Sequence, residues 1–366
     1  MDNSKKIVIS GYYGFNNTGD EAVLDSILKA LKKECKGKKL EITVLSNEPD
    51  KTSSLYKANA INRWDMKSIY KEIKKCDLLI SGGGSLLQDV TSNKTVPYYL
   101  LIIKIAQLYK KDVVFYSQGY GPVNKRHNKY LIKRVLNKVD HIFVRDRNSK
   151  KALVDIGIKT PTIVVAADPV LGMVVDRQAD IRAREIIEKH GSKRKRVGIY
   201  LRSWENDQLL IKKTNILTTM LDKAGFDVFL IPMQEPDDAE FLSKITADRL
   251  SVHRVVDKLS IEEVFALTGQ MDIVIGMRLH ALIMATAQGV ATVGLSYDPK
   301  VDDFMDMIGN EHCFDVNEFD PMDIINSIKK QLEQIDIVEQ DIIAKNKLLI
   351  EEAYKPAKLI NKLLLK

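Results

Sequence analysis

Residues 273–285 read IVIGMRLHALIMA, an apolar run that stops at a glycine and resumes with mixed side chains. Residues 273–275 predict a buried β-strand, because β-branched apolar side chains follow one another without a break. The strand ends at Gly276, and a helix is expected to begin almost at once. A strand that turns directly into a helix is the building unit of a parallel α/β sheet.

The same unit recurs along most of the chain. Each predicted strand is almost continuously apolar, as expected for a strand that is covered on both faces. Alternating strands and helices require parallel pairing through right-handed crossovers, which gives a doubly wound sheet. The predicted strands are residues 7–9, 42–45, 78–80, 113–116, 141–144, 163–165, 197–201, 228–231, 252–256, 273–275 and 291–295.

The alternation is interrupted once, between about residues 172 and 196, by a charged segment with a helical pattern. We therefore predict an N-terminal Rossmann-like domain over residues 1–175 and a second over residues 176–340. Residues 341–366 are predicted to form a C-terminal helix that packs back on the first domain. The expected fold class is α/β, with two doubly wound Rossmann-like domains facing a central cleft, as in glycosyltransferase-B-like enzymes.

The composition describes an ordinary globular protein with a mild basic excess. Of the 366 residues, 45% are hydrophobic, and the formal net charge is +7. The lysines are spread over helices, so they indicate either solvated helix faces or an anionic partner such as a phosphorylated substrate or an acidic membrane surface. No interleaved basic and aromatic stretch suggests nucleic-acid binding.

The cysteines and the hydropathy pattern bear on location and cofactors. Cys35, Cys76 and Cys313 are scattered, without disulfide or zinc-ligand spacing, which suits a reducing cytoplasm. There is no signal-peptide pattern and no apolar run near the roughly 20 residues of a membrane span. We expect a cytoplasmic enzyme that needs no metal and no cofactor.

Three polar or glycine-rich loops follow predicted strands of the first domain, where parallel sheets bind ligands. The loop SGYYGFNNTGDE, residues 10–21, predicts sugar contacts through its aromatic and amide side chains; helix capping is the alternative. The loop SGGGS, residues 81–85, allows the backbone to approach a ligand closely, and the loop SQGYGP, residues 117–122, follows a further strand. The predicted acceptor-binding residues are Asn16, Asn17, Asp20, Gly83, Gly84 and Gln118.

A pair of arginines follows the next predicted strand of this domain. Arg145 and Arg147 flank Asp146 directly after residues 141–144. They are consistent with a structural salt-bridge cluster, and equally with planar donors for a phosphate or carboxylate.

The second domain offers the clearest candidate site. Arg278 and His280 are predicted in the first turn of a helix that starts at a strand end. A helix N-terminus favours anions, so a cation there is unfavourable unless an anion offsets it. We interpret this arginine as the mark of an anionic ligand and His280 as a catalytic group. Lys300 follows the next strand and is either a further phosphate contact or a solvated lysine.

Taken in order, these loops resemble the polysaccharide pyruvyl transferase family, in particular its CsaB-type ketal-pyruvyltransferases of secondary cell-wall polymers. The resemblance extends from about residue 5 to residue 317. It rests on residues 14–21, 81–87, 118–122, 145–149, 168–169, 278–281 and 296–301.

The resemblance implies phosphoenolpyruvate as donor and a sugar acceptor that becomes a cyclic pyruvate ketal. Arg278 and His280 match the family's donor-binding and catalytic pair, with Leu279 between them and Lys300 as a further basic group. Arg145 or Arg147 would match its first-domain basic residue.

The implied acceptor is N-acetylmannosamine in a lipid-diphosphate-linked precursor, within cell-wall biogenesis and S-layer anchoring. Such a substrate implies peripheral contact with the inner face of the cell membrane.

Two other functions remain open from the sequence. A nucleotide-sugar-dependent glycosyltransferase would share the fold but needs an acidic ribose-binding residue, for which Glu311 and Asp315 are candidates without a convincing motif. A non-catalytic anionic-polymer binding protein would suit the basic charge but would not need His280 beside Arg278.

Overall fold

The computed structural model describes residues 4–90, 92–190, 193–248 and 250–365. The chain divides into two compact units. The first comprises Met1–Gly172 together with Leu349–Lys366, and the second comprises Met173–Leu348. Each unit contains its own parallel sheet.

The first unit is built on a seven-stranded parallel sheet with the order β3-β2-β1-β4-β5-β6-β7. Strand β4 is buried along its whole length, as its apolar sequence predicts. The strands are β1 (Lys5–Tyr13), β2 (Leu40–Ser46), β3 (Asn59–Asn62), β4 (Leu78–Gly82), β5 (Asp112–Gln118), β6 (His141–Val144) and β7 (Ile163–Val165).

Helices connect these strands and cover both faces of the sheet. Helix α1 starts where the glycine-rich loop after β1 ends, and its apolar face is buried. The helices are α1 (Thr18–Glu34), α2 (Pro49–Tyr56), α3 (Met66–Lys75), α4 (Thr95–Leu108), α5 (Arg126–Leu136) and α6 (Arg147–Asp155), followed by a 3-10 turn at Pro169–Gly172.

The second unit contains a six-stranded parallel sheet with the order β10-β9-β8-β11-β12-β13. Its strands are β8 (Lys195–Tyr200), β9 (Phe226–Leu230), β10 (Val252–Arg254), β11 (Ile273–Gly276), β12 (Ala291–Ser296) and β13 (Cys313–Asp315). Its helices are α7 (Arg177–His190), α8 (Asp207–Lys223), α9 (Asp237–Ser243), α10 (Ile261–Gly269), α11 (Leu279–Ala287), α12 (Pro299–Met307) and α13 (Pro321–Glu333).

The last helix, α14 (Ile335–Leu363), contains Pro356 in its interior. Its C-terminal part belongs to the first unit, where Lys38 Nζ donates to the carbonyl oxygen of Asn361 at 2.6 Å. Lys33 Nζ of α1 also lies 4.1 Å from the ring centroid of Tyr354.

Each sheet has one place where the direction of strand addition reverses. In the first unit it lies between the neighbours β1 and β4, and in the second between β8 and β11. Ligands of open parallel sheets bind beyond the carboxyl ends of the strands at such a switch point. The loops after β1, β4, β8 and β11 are therefore the places to look for a site.

Two strands, β3 and β13, were not predicted from the sequence, and both lie at sheet edges. Their sequences are Asn-Ala-Ile-Asn and Cys-Phe-Asp, and neither strand contains a fully buried residue. An edge strand is paired on one side only, so it needs no continuous apolar run. The eleven predicted strands are all present.

Candidate active site

The loop after β1 lies at the switch point of the first unit and leads into α1. Asn17 is the N-cap of α1, and its side-chain oxygen accepts from Gly19 N at 3.0 Å. Asn16 has a left-handed backbone with φ +56°, and its side-chain oxygen accepts from Lys51 Nζ. The capping alternative is thus confirmed for Asn17, and a sugar contact by either amide stays a prediction.

The glycine loop after β4 lies directly against the start of α1. Gly83 and Gly84 have φ values of +97° and +51°, which side chains rarely adopt. A Cβ at Gly84 would lie 2.4 Å from Asp20 Oδ1, and one at Gly83 would lie 2.8 Å from the Tyr13 hydroxyl. The structure therefore brings Asp20, Gly83 and Gly84 together, as their predicted common site requires.

Gln118, at the end of β5, has a different environment from the one predicted. Its side chain is fully buried, and Nε2 donates to Ser81 O at 2.5 Å and to Ser81 Oγ at 2.9 Å. The amide therefore holds the ends of β4 and β5 together. Because its side chain is buried, Gln118 is not among the residues proposed to contact the acceptor.

Of the two arginines after β6, one is buried and one is exposed. Arg145 Nη1 donates to Asp168 Oδ2 at 3.2 Å and Nη2 to Ser85 Oγ at 3.2 Å. Asp146 caps α6 by accepting from Ser149 N at 2.6 Å. Arg145 is thus the core of a salt-bridge cluster that joins three strand ends, and Arg147 is exposed on the first turn of α6.

In the second unit, Arg278 follows β11 and occupies the N-cap position of α11. Its Nε donates to Asp238 Oδ2 at 3.0 Å, and Nη2 contacts Asp238 Oδ1 and, at 3.2 Å, Gln234 Oε1. Asp238 is 1% exposed and also accepts from the backbone N–H groups of Met233 and Gln234. Arg278 and Asp238 therefore form an ion pair that is almost completely buried.

This ion pair corrects the sequence argument about Arg278. The inference that a cation at a helix N-terminus requires an external anion was wrong, because Asp238 neutralises it from within the unit. About a tenth of the Arg278 side chain, 11%, stays exposed. Any contact with a ligand must therefore use the remaining N–H groups of a guanidinium that is already fixed in place.

His280 and Leu279 begin α11, next to this pair. His280 is partly exposed at the second position of the helix, whereas the Leu279 side chain is buried. A donor contact of Leu279 would thus involve its backbone. Because β11 is hydrogen-bonded to both β8 and β12, the residues that follow these three strands lie side by side.

Lys300 lies on α12, which follows β12. Its Nζ is 3.2 Å from Asp298 Oδ2 and 5.1 Å from the ring centroid of Tyr297. Asp298 caps the helix by accepting from Lys300 N at 3.1 Å. The lysine is partly exposed at this strand end, and its contact with a ligand stays a prediction.

Arg202 is a further cation at the same sheet edge, and it was not predicted from the sequence. It follows β8 on the other side of β11, and its guanidinium carbon lies 5.6 Å from the Tyr297 ring and 5.9 Å from the Trp204 ring. Nε donates to Ser203 O at 3.3 Å. Among the residues that the structure describes, no carboxylate pairs with Arg202. Its position directly after predicted strand 197–201 was the signal that could have identified it.

Within the described ranges, no group of three or more His, Cys, Asp or Glu side chains is arranged to hold a metal ion. No helix in the described part of the chain is long and apolar enough to cross a membrane.

Comparison with known proteins identifies the family. The profile described as polysaccharide pyruvyl transferase matches residues 17–299, which include the loop after β4 and the Arg278–His280 segment. The chain belongs to the polysaccharide pyruvyl transferase family. It is also 22% identical to the amylovoran biosynthesis protein AmsJ of Erwinia amylovora, over 92% of this chain and 94% of that protein. The protein is therefore an enzyme that transfers a pyruvyl group to a polysaccharide.

Solved structures confirm the predicted fold class. UDP-GlcNAc 2-epimerase of Neisseria meningitidis, bound to UDP-GlcNAc, superposes with a TM-score of 0.62 at 15% identity and 99% coverage of both chains. Anabaena Alr3699/HepE, in complex with UDP and glucose, gives a TM-score of 0.64 at 12% identity, again with 99% coverage of both. At these identities the likeness shows the glycosyltransferase-B type of fold, with two Rossmann-like domains.

Proposed function

We propose that this pyruvyltransferase uses phosphoenolpyruvate as donor and N-acetylmannosamine in a lipid-diphosphate-linked cell-wall precursor as acceptor. The products are a cyclic pyruvate ketal and phosphate. The observation that carries the donor assignment is the row of cations after β8, β11 and β12, formed by Arg202, Arg278 and Lys300. A small donor with both a phosphate and a carboxylate suits such a row.

In the proposed reaction, two hydroxyl groups of the acceptor supply the two ketal oxygens and the two protons that the products need. Protonation of the donor's methylene carbon gives a methyl group and an oxocarbenium-like carbon, which the first hydroxyl attacks. The C–O bond to phosphate then breaks, and the second hydroxyl attacks the same carbon and closes the ketal. One hydroxyl proton replaces the proton given to the methyl group, and the other leaves with phosphate.

The residues of the second unit supply the groups that this scheme needs. His280, at the start of α11, is the proposed general acid for the methylene carbon. Arg202 and Lys300 bind the phosphate and carboxylate, and Arg278 contributes the N–H groups that Asp238 and Gln234 do not use. Of the two first-domain arginines, Arg147 is exposed on α6, whereas Arg145 is buried in its salt-bridge cluster.

The acceptor is proposed to lie beyond β1 and β4 of the first unit. Asp20, Gly83 and Gly84 meet there, and Asn16 and Asn17 border the same loop. A lipid-linked acceptor would draw the enzyme to the inner face of the cell membrane, in keeping with its net charge of +7.

The proposed donor is tested by incubating the enzyme with phosphoenolpyruvate and short N-acetylmannosamine glycosides. We expect phosphate release and, by mass spectrometry, an adduct whose mass has increased by one pyruvyl ketal. The yield should be unchanged in EDTA, since in this scheme Arg202 and Lys300, and not a metal ion, contact the charged groups of the donor. Loss of turnover on chelation would contradict that part of the proposal.

The same assay run with UDP-sugars tests the glycosyltransferase alternative. The two superposed structures described above contain UDP-GlcNAc or UDP, which is why this alternative is retained. However, Glu311, a candidate ribose ligand, forms an exposed ion pair with Lys330 at 2.7 Å. If the enzyme transfers the sugar with release of UDP and does not react with phosphoenolpyruvate, the proposed donor is wrong and the donor is a UDP-sugar. A binding protein without activity is set aside by the family assignment.

Replacing Arg202 by glutamine is expected to raise the KM for phosphoenolpyruvate by about 10- to 150-fold, because one charge-assisted contact contributes about 1.5–3 kcal/mol. The KM for the acceptor should change little. Arg184→Gln is the matched control, since Arg184 pairs with Asp180 on the exposed surface of the same unit. Equal donor KM values for the two variants would remove Arg202 from the donor site.

A further inference from the structure

The first unit contains a buried arginine, Arg63, whose charge is not paired with a carboxylate of the described residues. Arg63, directly after β3, is 3% exposed. Its Nη1 donates to Gly11 O at 3.0 Å and its Nη2 to the Tyr99 hydroxyl at 3.1 Å. Within the described ranges, no acidic side chain forms an ion pair with it. A buried cation is costly unless other groups compensate it, so its surroundings must do so.

Five aromatic rings provide this compensation. The guanidinium carbon lies 4.7 Å from the Tyr98 ring centroid, 5.1 Å from Phe15, 5.2 Å from Trp64, 5.5 Å from Tyr99 and 5.9 Å from Tyr12. Cations within about 6 Å of ring centroids are attracted by the π-electrons. Arg63 therefore holds together rings from the β1–α1 loop, the end of β3 and helix α4.

The rings are also fixed to one another and to the backbone. Tyr12 and Phe15 stack with centroids 4.1 Å apart and planes inclined by 7°. The Tyr98 hydroxyl donates to Arg63 O at 2.9 Å, and Trp64 Nε1 donates to Asn47 Oδ1 at 3.2 Å. We call Tyr12, Phe15, Trp64 and Tyr98 the aromatic platform. The Tyr98 hydroxyl and the Trp64 indole N–H of the platform thus both donate hydrogen bonds within the protein.

The outer rings of the aromatic platform are nevertheless exposed. Trp64 is 60% exposed and Tyr12 is 38% exposed. Rigid aromatic faces that reach solvent beside a few polar side chains are typical of ligand sites rather than of a solvated surface. Since the indole N–H already has its partner, Trp64 offers a ligand its flat apolar face.

The location of the aromatic platform points to its ligand. It lies beyond the carboxyl ends of β1 and β3, beside the loop that contains Asn16 and close to Asn47, which follows β2. A pyranose ring has an apolar C–H face for an aromatic ring and hydroxyl groups for neighbouring amides. We propose that the aromatic platform binds a pyranose ring of the acceptor saccharide, with Trp64 as its principal stacking face.

This inference rests on the proposed function, because it takes the ligand to be the acceptor of pyruvyl transfer. The first test is therefore made without donor. The chain has two tryptophans, Trp64 and Trp204, so Trp204→Phe leaves Trp64 as the single reporter. Titration with an N-acetylmannosamine-containing disaccharide should change Trp64 fluorescence in a saturable way, and titration with UDP should not. No change with the disaccharide, or a change with UDP alone, would overturn the inference.

Steady-state kinetics provide the second test. We expect Trp64→Ala to raise the acceptor KM about 2- to 10-fold while leaving the donor KM unchanged, and Trp64→Phe to recover part of the loss. Tyr130→Ala is the control, because Tyr130 is an equally exposed aromatic residue, at 60%, on α5 of the same unit. Equal changes in both KM values, or no change, would contradict a stacking role. If phosphoenolpyruvate is not a donor, neither the wild-type enzyme nor any variant shows turnover. The fluorescence titration still reports on saccharide binding in that case.

Discussion

Replacing His280 by glutamine is expected to lower kcat for pyruvyl transfer by about 10²- to 10⁴-fold, the usual contribution of a positioned general acid. The donor KM should change little, because the phosphate and carboxylate are assigned to Arg202, Lys300 and Arg278. Glutamine retains the length and hydrogen-bonding capacity of the side chain but cannot transfer a proton. The measurement is phosphate release at saturating phosphoenolpyruvate and acceptor.

The control for this experiment is His127→Gln, since His127 is exposed on α5 of the first unit. Binding of phosphoenolpyruvate to the His280 variant, measured by calorimetry, separates loss of chemistry from loss of the site. A His280→Gln enzyme with normal kcat would show that another group protonates the methylene carbon. A variant that no longer binds donor would make His280 a binding residue instead.

Replacing Arg278 by methionine is expected to reduce the free energy of unfolding of the second unit by about 3–5 kcal/mol. The change leaves Asp238, which is 1% exposed, as a buried charge without its cation. The double variant Arg278→Met with Asp238→Asn removes both charges and should recover at least half of the lost stability. Urea titration followed by Trp204 fluorescence, in a Trp64→Phe background, gives the values.

Activity of the double variant distinguishes the two roles of Arg278. If its remaining N–H groups contact the donor, the double variant stays inactive although its stability returns. If activity returns with stability, Arg278 serves only to anchor α9 to the start of α11, and the donor contact is contradicted. Arg182→Met is the control: the Arg182–Asp257 pair at 3.1 Å is much more exposed and should contribute less than about 1 kcal/mol.

For the residues of the candidate site, the local sequence pattern predicts the position after a strand but not the direction of the side chain. Arg278, His280 and Lys300 were found because each lies just after an apolar run, and parallel strands align their ends. Arg202 satisfies the same rule and was overlooked. Gln118 and Arg145 satisfy it too, but their side chains point into the interior, toward Ser81 and Asp168. Position after a strand is visible in a sequence, whereas side-chain direction depends on neighbours far along the chain.

The sequence by itself determined the two α/β sheets, their parallel strands and the sheet edge at which ligand binding is predicted. A strand buried on both faces must be apolar throughout, and that requirement is local. Tertiary structure alone decided that Asp238, 40 residues from Arg278, neutralises it, and that Arg63 gathers rings from three separate segments. Charges and rings attract one another through space, so which of them meet is set by the packing of the chain and not by their spacing along it.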